Sequence, residues 1–186
     1  LMASGAADEH FRGLLDRVST RWGIDARGAP PRRKVLPLAP LRRTYGDRVL
    51  AIGDAAGLVK ATTGGGIYYA IVSAALAADT AAAALRAGRT GAGALAAYEV
   101  AWRRRLGAEL QAQLTLRMLA HRLGDGDIEA FFELVRTDGV MPIVRRTARF
   151  NQHRELILSL FRHPPARRVL FRRAAAGVGA RLLGTH

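Results

Sequence analysis

One stretch of the chain, residues 49–70, has residue types and a spacing that could hold a ligand. It reads Val-Leu-Ala-Ile-Gly-Asp-Ala-Ala-Gly-Leu-Val-Lys-Ala-Thr-Thr-Gly-Gly-Gly-Ile-Tyr-Tyr-Ala. Gly53 lacks a Cβ and leaves room for a bulky group at the end of a strand, and the carboxylate of Asp54 can accept two hydroxyl hydrogen bonds. This part of the stretch suits a polyol.

Three consecutive glycines, Gly64, Gly65 and Gly66, come directly before a helical segment that begins at Ile67. Their exposed backbone N–H groups, together with the positive end of the helix dipole, could meet an electron-rich ligand. An anionic ring or a phosphate would suit this second position. Lys60 lies in the loop between the two positions, and we expect it to be solvated.

The segments around this stretch predict how it is positioned. Residues 49–52 are an apolar run of strand length, which predicts a buried strand ending at Gly53. An Ala-rich helix is predicted from Ile67 to Leu85, with Gly88 closing it in the left-handed conformation. A second long helix is predicted over residues 92–123, because apolar residues recur there every three or four positions.

The rest of the chain reads mainly as short helices. Alternation over residues 33–38 predicts one more strand, and a short amphipathic helix is predicted near the start of the chain. The short helices are predicted at residues 7–22, 127–137, 140–150, 152–162 and about 166–176. The expected fold class of the chain is therefore mostly α-helical with a few short strands.

Composition excludes several classes of protein. The chain has 186 residues, of which 49% are hydrophobic and 24% charged, as in a folded globular domain. It has no cysteine, and its five histidines are not spaced as metal ligands, so disulfides, cysteine nucleophiles and a metal site are not expected. Asp79 interrupts the longest apolar run, and the first residues lack the pattern of a secretory signal. We predict a cytoplasmic protein without a membrane-crossing helix.

The net charge of +14 is unevenly distributed. Residues 1–100 contain 13 basic and 8 acidic side chains, and residues 101–186 contain 16 and 7. A basic second half could attract nucleic acid, anionic lipid or an anionic ligand, although a GC-rich coding bias explains the arginines equally well. Residues 152–183 have the pattern of a basic amphipathic surface helix or an ordinary helical cap, and the run Arg103-Arg104-Arg105 is expected to be solvated.

Two motifs in this order carry a resemblance to a known family. Gly-Asp-Ala-Ala-Gly, followed seven residues later by Gly-Gly-Gly-Ile-Tyr-Tyr-Ala, resembles the second FAD motif of the geranylgeranyl reductase family. That family is a branch of the two-dinucleotide-fold flavoproteins related to aromatic hydroxylases. The resemblance runs from about Pro37 through the helical C-terminus. It implies an α/β parent fold that binds FAD, of the aromatic-hydroxylase type.

The resemblance also implies a division of the chain into three parts. Residues 1–47 would end the substrate domain, residues 48–90 would form the C-terminal half of the FAD-binding domain, and residues 91–186 would be a helical C-terminal region. The family's first motif, Gly-x-Gly-x-x-Gly, which holds the pyrophosphate, is absent. We therefore expect Leu1 to be a truncation point or the gene model to be a fragment.

The residues that correspond to the family's flavin site carry over one by one. The resemblance implies that Asp54 binds the ribityl chain of FAD and that Gly65 and Gly66 lie near the isoalloxazine. From its place at the start of the predicted helix, we also expect Ile67 to contribute a backbone N–H to the same ring. No residue is predicted as a catalytic acid. The expected cofactor-binding residues are Gly53, Asp54, Gly64, Gly65, Gly66 and Ile67.

The expected function is part of an FAD-dependent oxidoreductase that reduces isoprenoid double bonds of a lipid, with NAD(P)H or another reductant. Peripheral contact with an anionic membrane is a further expectation. Two alternatives remain open: an FAD-dependent monooxygenase or hydroxylase of the same fold, and a non-catalytic basic module that binds nucleic acid or an anionic membrane. Nucleic acid is not expected as a partner, because no helix-turn-helix or aromatic-basic RNA motif is present.

Overall fold

The computed structural model describes residues 6–25, 28, 30, 32, 34–137 and 139–171. The chain divides into two compact units, Leu1–Val35 and Leu36–His186. The first unit contains helix α1, Ala7–Trp22, which confirms the predicted helix. Gly23 ends it in the left-handed conformation, and its N–H donates to the carbonyl of Ser19 at 2.9 Å.

The second unit begins with irregular chain and a small hairpin. Strands β1, Tyr45–Gly46, and β2, Val49–Leu50, pair antiparallel, with Tyr45 opposite Leu50. The prediction of a strand over residues 33–38 is wrong, because described residues 34–38 are irregular and Pro37 has no N–H for a strand ladder.

The predicted buried strand over residues 49–52 is also wrong in part. Only Val49 and Leu50 are paired, and the side chains of Val49 and Ile52 are 59% and 40% exposed. An apolar run is buried only where neighbouring elements cover both of its faces. Within the described residues, β1 is the single strand that pairs with β2.

Two long helices form the centre of the second unit. A short 3-10 helix, Gly53–Ala56, leads through a loop to helix α2, Ile67–Arg86, which packs against helix α3, Ala92–Ala120. Gly88 closes α2 as predicted, with φ of 61°. Its N–H donates to the carbonyl of Leu85, and the N–H of Arg89 donates to the carbonyl of Ala84 at 2.9 Å, which is the Schellman pattern.

Short helices follow α3, which confirms the mostly helical prediction. They are α4, Asp125–Thr137, α5, Val140–Thr147, and α6, Arg154–Arg162, and residues 164–171 are also helical. Helix α3 ends three residues earlier than predicted, and so does α5. The last part of the predicted helix over residues 166–176 lies outside the described residues.

Two hydrophobic clusters hold these helices together. One lies between the 3-10 helix, α2 and α3, and Tyr69, Tyr98 and Trp102 are its largest buried side chains. The other joins α4, α5 and α6 to the end of α3, and it buries Leu160 and Leu170. The apolar side of residues 152–171 is thus packed against the chain itself, which favours the helical cap over a surface helix in this range.

One helix of the described chain, α2, is long and apolar enough to cross a membrane by length and composition. Asp79 lies inside α2, where it interrupts the apolar run while the helix continues through it. A single helix of this kind is weak support for a membrane span, because core helices of soluble proteins pass the same test.

Candidate functional site

The structure places Asp54 directly beside the glycine turn, residues 60–66. Asp54 lies in the 3-10 helix, and its Oδ1 contacts the backbone of Gly66 so closely that a Cβ at Gly66 would overlap it. The Asp54 side chain is exposed. Two predicted site residues that are twelve positions apart therefore form one surface, with a carboxylate on one side and bare backbone on the other.

Close packing of α2 explains why residue 53 is a glycine. Gly53 has a φ of 52°, and a Cβ at this position would lie 2.9 Å from the Cβ of Ala70. Its N–H donates to the hydroxyl of Ser73, also on α2, at 3.1 Å. The bulky neighbour for which Gly53 leaves room is therefore α2, and this contact sets where Asp54 stands relative to the helix.

The glycine turn is held in shape by its own backbone. The N–H of Gly64, which has a φ of 74°, donates to the carbonyl of Lys60 at 2.7 Å, and the N–H of Lys60 donates to the carbonyl of Gly65 at 3.0 Å. Gly66 is the N-cap of α2, and no side-chain hydrogen bond caps this end of the helix. The first N–H groups of α2, beginning at Ile67, can therefore donate to a ligand.

Lys60 does not behave as the sequence predicts. The expectation of a solvated lysine is wrong, because only 6% of the residue is exposed. Its Nζ donates to the carbonyl of Phe150 at 2.5 Å and lies 4.1 Å from the centre of the Phe150 ring. The lysine is buried because the turn folds onto the connection between α5 and α6, 90 positions further along the chain.

Two more hydrogen bonds join the same two regions. The hydroxyl of Thr62 lies 3.0 Å from Nδ1 of His153, and the hydroxyl of Tyr69 donates to the carbonyl of Asn151 at 3.0 Å. Tyr69 is fully buried and packs in the hydrophobic core. The connection over residues 150–153 thus supports both the glycine turn and the first turn of α2.

Helix α3 supplies the polar side chains that hold this connection. Gln113 Nε2 donates to the hydroxyl of Tyr69 at 2.9 Å and to Glu109 Oε1 at 2.6 Å. Glu109 in turn accepts the backbone N–H groups of His153 and Arg154, where α6 begins. No sequence motif marks Glu109 or Gln113, because their spacing on α3 is that of any two residues one turn apart.

A second polar cluster fixes the chain that leads into the hairpin. Glu99 on α3 accepts the backbone N–H of Thr44 at 2.8 Å and its hydroxyl at 3.1 Å, and Trp102 Nε1 donates to the same hydroxyl. Burial would raise the pKa of Glu99, but the hydrogen bonds from Thr44 and Arg103 outweigh it and lower the pKa. Arg103 is exposed, as predicted for the arginine run, although it also pairs with Glu99.

A small cavity opens beside the first turn of α2. Its volume is about 190 Å³, and Tyr68 on α2, Arg105 on α3 and Arg154 on α6 are among the residues that line it. Among the described residues, no group of three His, Asp or Glu side chains could hold a metal ion.

Comparison with known proteins identifies the family. Digeranylgeranylglycerophospholipid reductase 2 of Methanothermobacter thermautotrophicus is 41% identical over 91 residues, which are 49% of this chain and 24% of the relative. Digeranylgeranylglycerophospholipid reductase of Methanothrix thermoacetophila is 35% identical over 101 residues, 54% of this chain and 26% of the relative. Digeranylgeranylglycerophospholipid reductase 1 of Methanopyrus kandleri is 32% identical over 151 residues, 75% of this chain and 38% of the relative. The chain belongs to the geranylgeranyl reductase family.

The match covers only part of each of these relatives of the geranylgeranyl reductase family. It spans between 24% and 38% of the length of the three reductases named above. No family model matches the chain. No solved structure matches it either.

The residues of this geranylgeranyl reductase relative fit a flavin in two respects. The absence of a side chain at Gly66 lets the Asp54 carboxylate lie directly against the backbone of the glycine turn, where a Cβ would overlap it. The donors are also of the right kind, because a carboxylate suits the hydroxyls of a ribityl chain and backbone N–H groups suit the oxygens and nitrogens of the ring.

Because the hydroxyl of Tyr69 is buried, the free energy of unfolding should depend on pH in the alkaline range. Burial raises the pKa of Tyr69 from 10.0 to about 12, with a smaller opposing effect of the Gln113 hydrogen bond and a further increase from Glu109. Because the folded-state pKa is above the unfolded value, the stabilisation is complete below pH 10 and is lost as the pH rises toward 12. The expected loss is roughly 2 kcal/mol.

Urea unfolding below pH 10 and near pH 12 measures this loss of stability. Tyr69→Phe should be less stable than the wild type below pH 10, because the bonds to Asn151 and Gln113 are lost. It should also lose less stability than the wild type between pH 10 and 12, because no hydroxyl is left to ionise. Equal alkaline losses in the two proteins would contradict the assignment.

Proposed function

We propose that this chain supplies one half of an FAD site in an oxidoreductase that reduces isoprenoid double bonds of a lipid. The observation that carries the proposal is the contact between Asp54 and Gly66, which joins a polyol-binding carboxylate to a helix start with unbonded N–H groups. The names of the relatives support reduction as the reaction and a glycerophospholipid with isoprenoid chains as the substrate class. They do not favour a hydroxylase or a binding module.

Each predicted site residue has a role in this proposal. The carboxylate of Asp54 accepts hydroxyl groups of the ribityl chain, and Gly53 sets the distance between that carboxylate and α2. Gly64, Gly65 and Gly66 let the ring approach the backbone, and the N–H of Ile67 faces it. FAD that had been reduced by NAD(P)H or another reductant would supply the hydride for the double bond, and water or an unidentified group would supply the proton.

The start of α2 favours negative charge on the ring. The positive end of a helix dipole lies where the first N–H groups have no partner within the helix. Fixed donors of this kind stabilise charge that develops during a reaction, because they need no reorganisation at that moment. Residues 48–90 would accordingly be the C-terminal half of an FAD-binding domain, followed by a helical region over residues 91–186.

A lipid substrate also suggests where the protein works. The excess of arginine in the second half would attract the anionic surface of a membrane, and the exposed residues Arg104 and Arg105 on α3 belong to this excess. We propose a cytoplasmic protein with peripheral contact to such a surface.

Removal of the Asp54 carboxylate tests the flavin assignment. In protein expressed from the complete reading frame, Asp54→Ala should weaken FAD by about 1 to 3 kcal/mol, the usual cost of leaving buried hydroxyls unpaired. This corresponds to a loss of about 5-fold to 150-fold in affinity, measured by the visible absorption retained after gel filtration. Asp79→Ala is the matched control, because it removes an exposed carboxylate from α2 away from the turn.

Three results are distinguishable in this experiment. Retention of flavin by the wild type and by Asp79→Ala, but not by Asp54→Ala, supports the proposal. Equal retention by all three proteins removes Asp54 from the site. A wild-type protein that takes up no flavin contradicts the proposed function, and the presence or absence of Gly-x-Gly-x-x-Gly upstream of residue 1 in the same reading frame then shows whether the other half of the site is encoded.

A further inference from the structure

We propose that Lys60 is a positioning residue of this site, which fixes the glycine turn and keeps a positive charge behind it. The inference rests on the proposed function, since the ligand of the turn is FAD in both. Lys60 is one of two lysines in the chain, and the other, Lys34, is exposed. Only Lys60 is buried, with 6% of its surface exposed.

Main chain and side chain of Lys60 both contact the turn. Its carbonyl accepts the N–H groups of Thr63 and Gly64, and its own N–H donates to the carbonyl of Gly65. The aliphatic part of the side chain then passes under the turn, with Cδ 3.6 Å and Cε 3.7 Å from the position that a Cβ on Gly65 would take. Lys60 thus contacts the glycine turn through its backbone hydrogen bonds and through the aliphatic part of its side chain.

The end of the Lys60 side chain is anchored in a different part of the fold. Its ammonium group donates to the carbonyl of Phe150 and lies over the ring of the same residue. The connection that carries Phe150 is itself held by Glu109 through the N–H groups of His153 and Arg154. Glu109 on α3 therefore holds the connection, and the connection holds Lys60 and with it the glycine turn.

The partners of the ammonium group leave its charge in place. A carbonyl oxygen and an aromatic ring solvate a cation without neutralising it. A buried charge also acts over a longer distance than an exposed one, because less water screens it. Lys60 should therefore favour a ligand that gains negative charge on reduction, and it should raise the reduction potential of a flavin bound at the turn.

The anchoring role is tested on the protein without flavin. Lys60→Met keeps the aliphatic stem and removes the ammonium group, and Lys34→Met is the matched control that removes the same charge elsewhere. Hydrogen–deuterium exchange over residues 61–66 and 149–153 should become at least about tenfold faster in Lys60→Met, as expected when local opening becomes easier. Unchanged exchange in both segments would overturn the anchoring role.

The charge is tested by the reduction potential of the flavin-loaded protein from the complete reading frame. Lys60→Met should weaken binding of the reduced flavin relative to the oxidised flavin by about tenfold, which lowers the midpoint potential by about 30 mV for a two-electron couple. Lys60→Arg, which keeps the charge, should stay near the wild-type potential. A purely structural role would change affinity for both redox states alike.

The outcomes separate this inference from the proposed function. If the wild type binds flavin and Lys60→Met keeps its potential, Lys60 does not tune the site although the flavin assignment stands. If the wild type binds no flavin, the proposed function fails and the tuning role with it, while the exchange measurement still decides the anchor. Lys60→Gln, which retains a donor for the Phe150 carbonyl, takes the place of Lys60→Met if that variant does not fold, and the same lower potential is expected.

Discussion

Gly57→Ala should destabilise the second unit by about 3 kcal/mol or more, the largest effect that we expect from a single methyl group in this chain. Gly57 has a φ of 69°, a conformation that costs about 1 kcal/mol for alanine. The added Cβ would also overlap the carbonyl oxygen of Ala39 and approach Cα of Pro40 to 3.2 Å. Backbone atoms cannot turn aside as a side chain can, so the segment through Ala39 would have to move.

A hydrogen bond next to Gly57 holds the segment through Ala39 in place. The N–H of Leu41 donates to the carbonyl of Ala56 at 3.0 Å, next to Gly57, so moving it away from the new methyl group breaks this bond. Urea unfolding followed by circular dichroism measures the cost. Gly93→Ala is the control, because nothing lies within 4 Å of its Cβ position on α3, and it should gain about 0.5 to 1 kcal/mol. A Gly57→Ala protein within about 0.5 kcal/mol of the wild type would show that the close approach is wrong.

The helices could be predicted from the sequence because their signals are local. Apolar spacing predicts α2 and α3, and Gly88 marks the end of α2 by the one property that its neighbours lack, easy access to a positive φ. The hairpin could not be predicted in this way. An apolar run such as residues 49–52 predicts burial, but burial depends on what lies on each face, and Val49 is left more than half exposed.

The same distinction between local and distant signals applies to the residues of the candidate site. Its motif residues are close in sequence, so the resemblance was enough to expect Asp54 and Gly66 in one place. Lys60 was misjudged because a lysine in a loop is usually solvated, and its partner Phe150 is 90 positions away. Glu109 and Gln113 were missed for the same reason, since a single sequence carries no record of contacts between distant segments.

Gly66→Ala should weaken FAD binding as much as the loss of the Asp54 carboxylate does, by about 5-fold to 150-fold in affinity. The backbone of Gly66 has a φ of −112°, which alanine adopts without strain. The new methyl group would instead overlap Oδ1 of Asp54. Because the Asp54 side chain is exposed, it can swing away at a cost in stability of only about 1 kcal/mol, and the carboxylate then no longer faces the turn.

A double-mutant cycle tests this explanation, with affinity and stability measured separately. In the Asp54→Ala background the carboxylate that causes the overlap is gone, so adding Gly66→Ala should lower FAD affinity little further. Its remaining cost in stability should come only from the new methyl group lying 3.3 Å from Cγ1 of buried Val59. Fully additive losses in affinity would mean that the two residues act on the ligand independently. A non-additive result would instead make the carboxylate and the turn a single unit, because the methyl group then acts only by displacing Asp54.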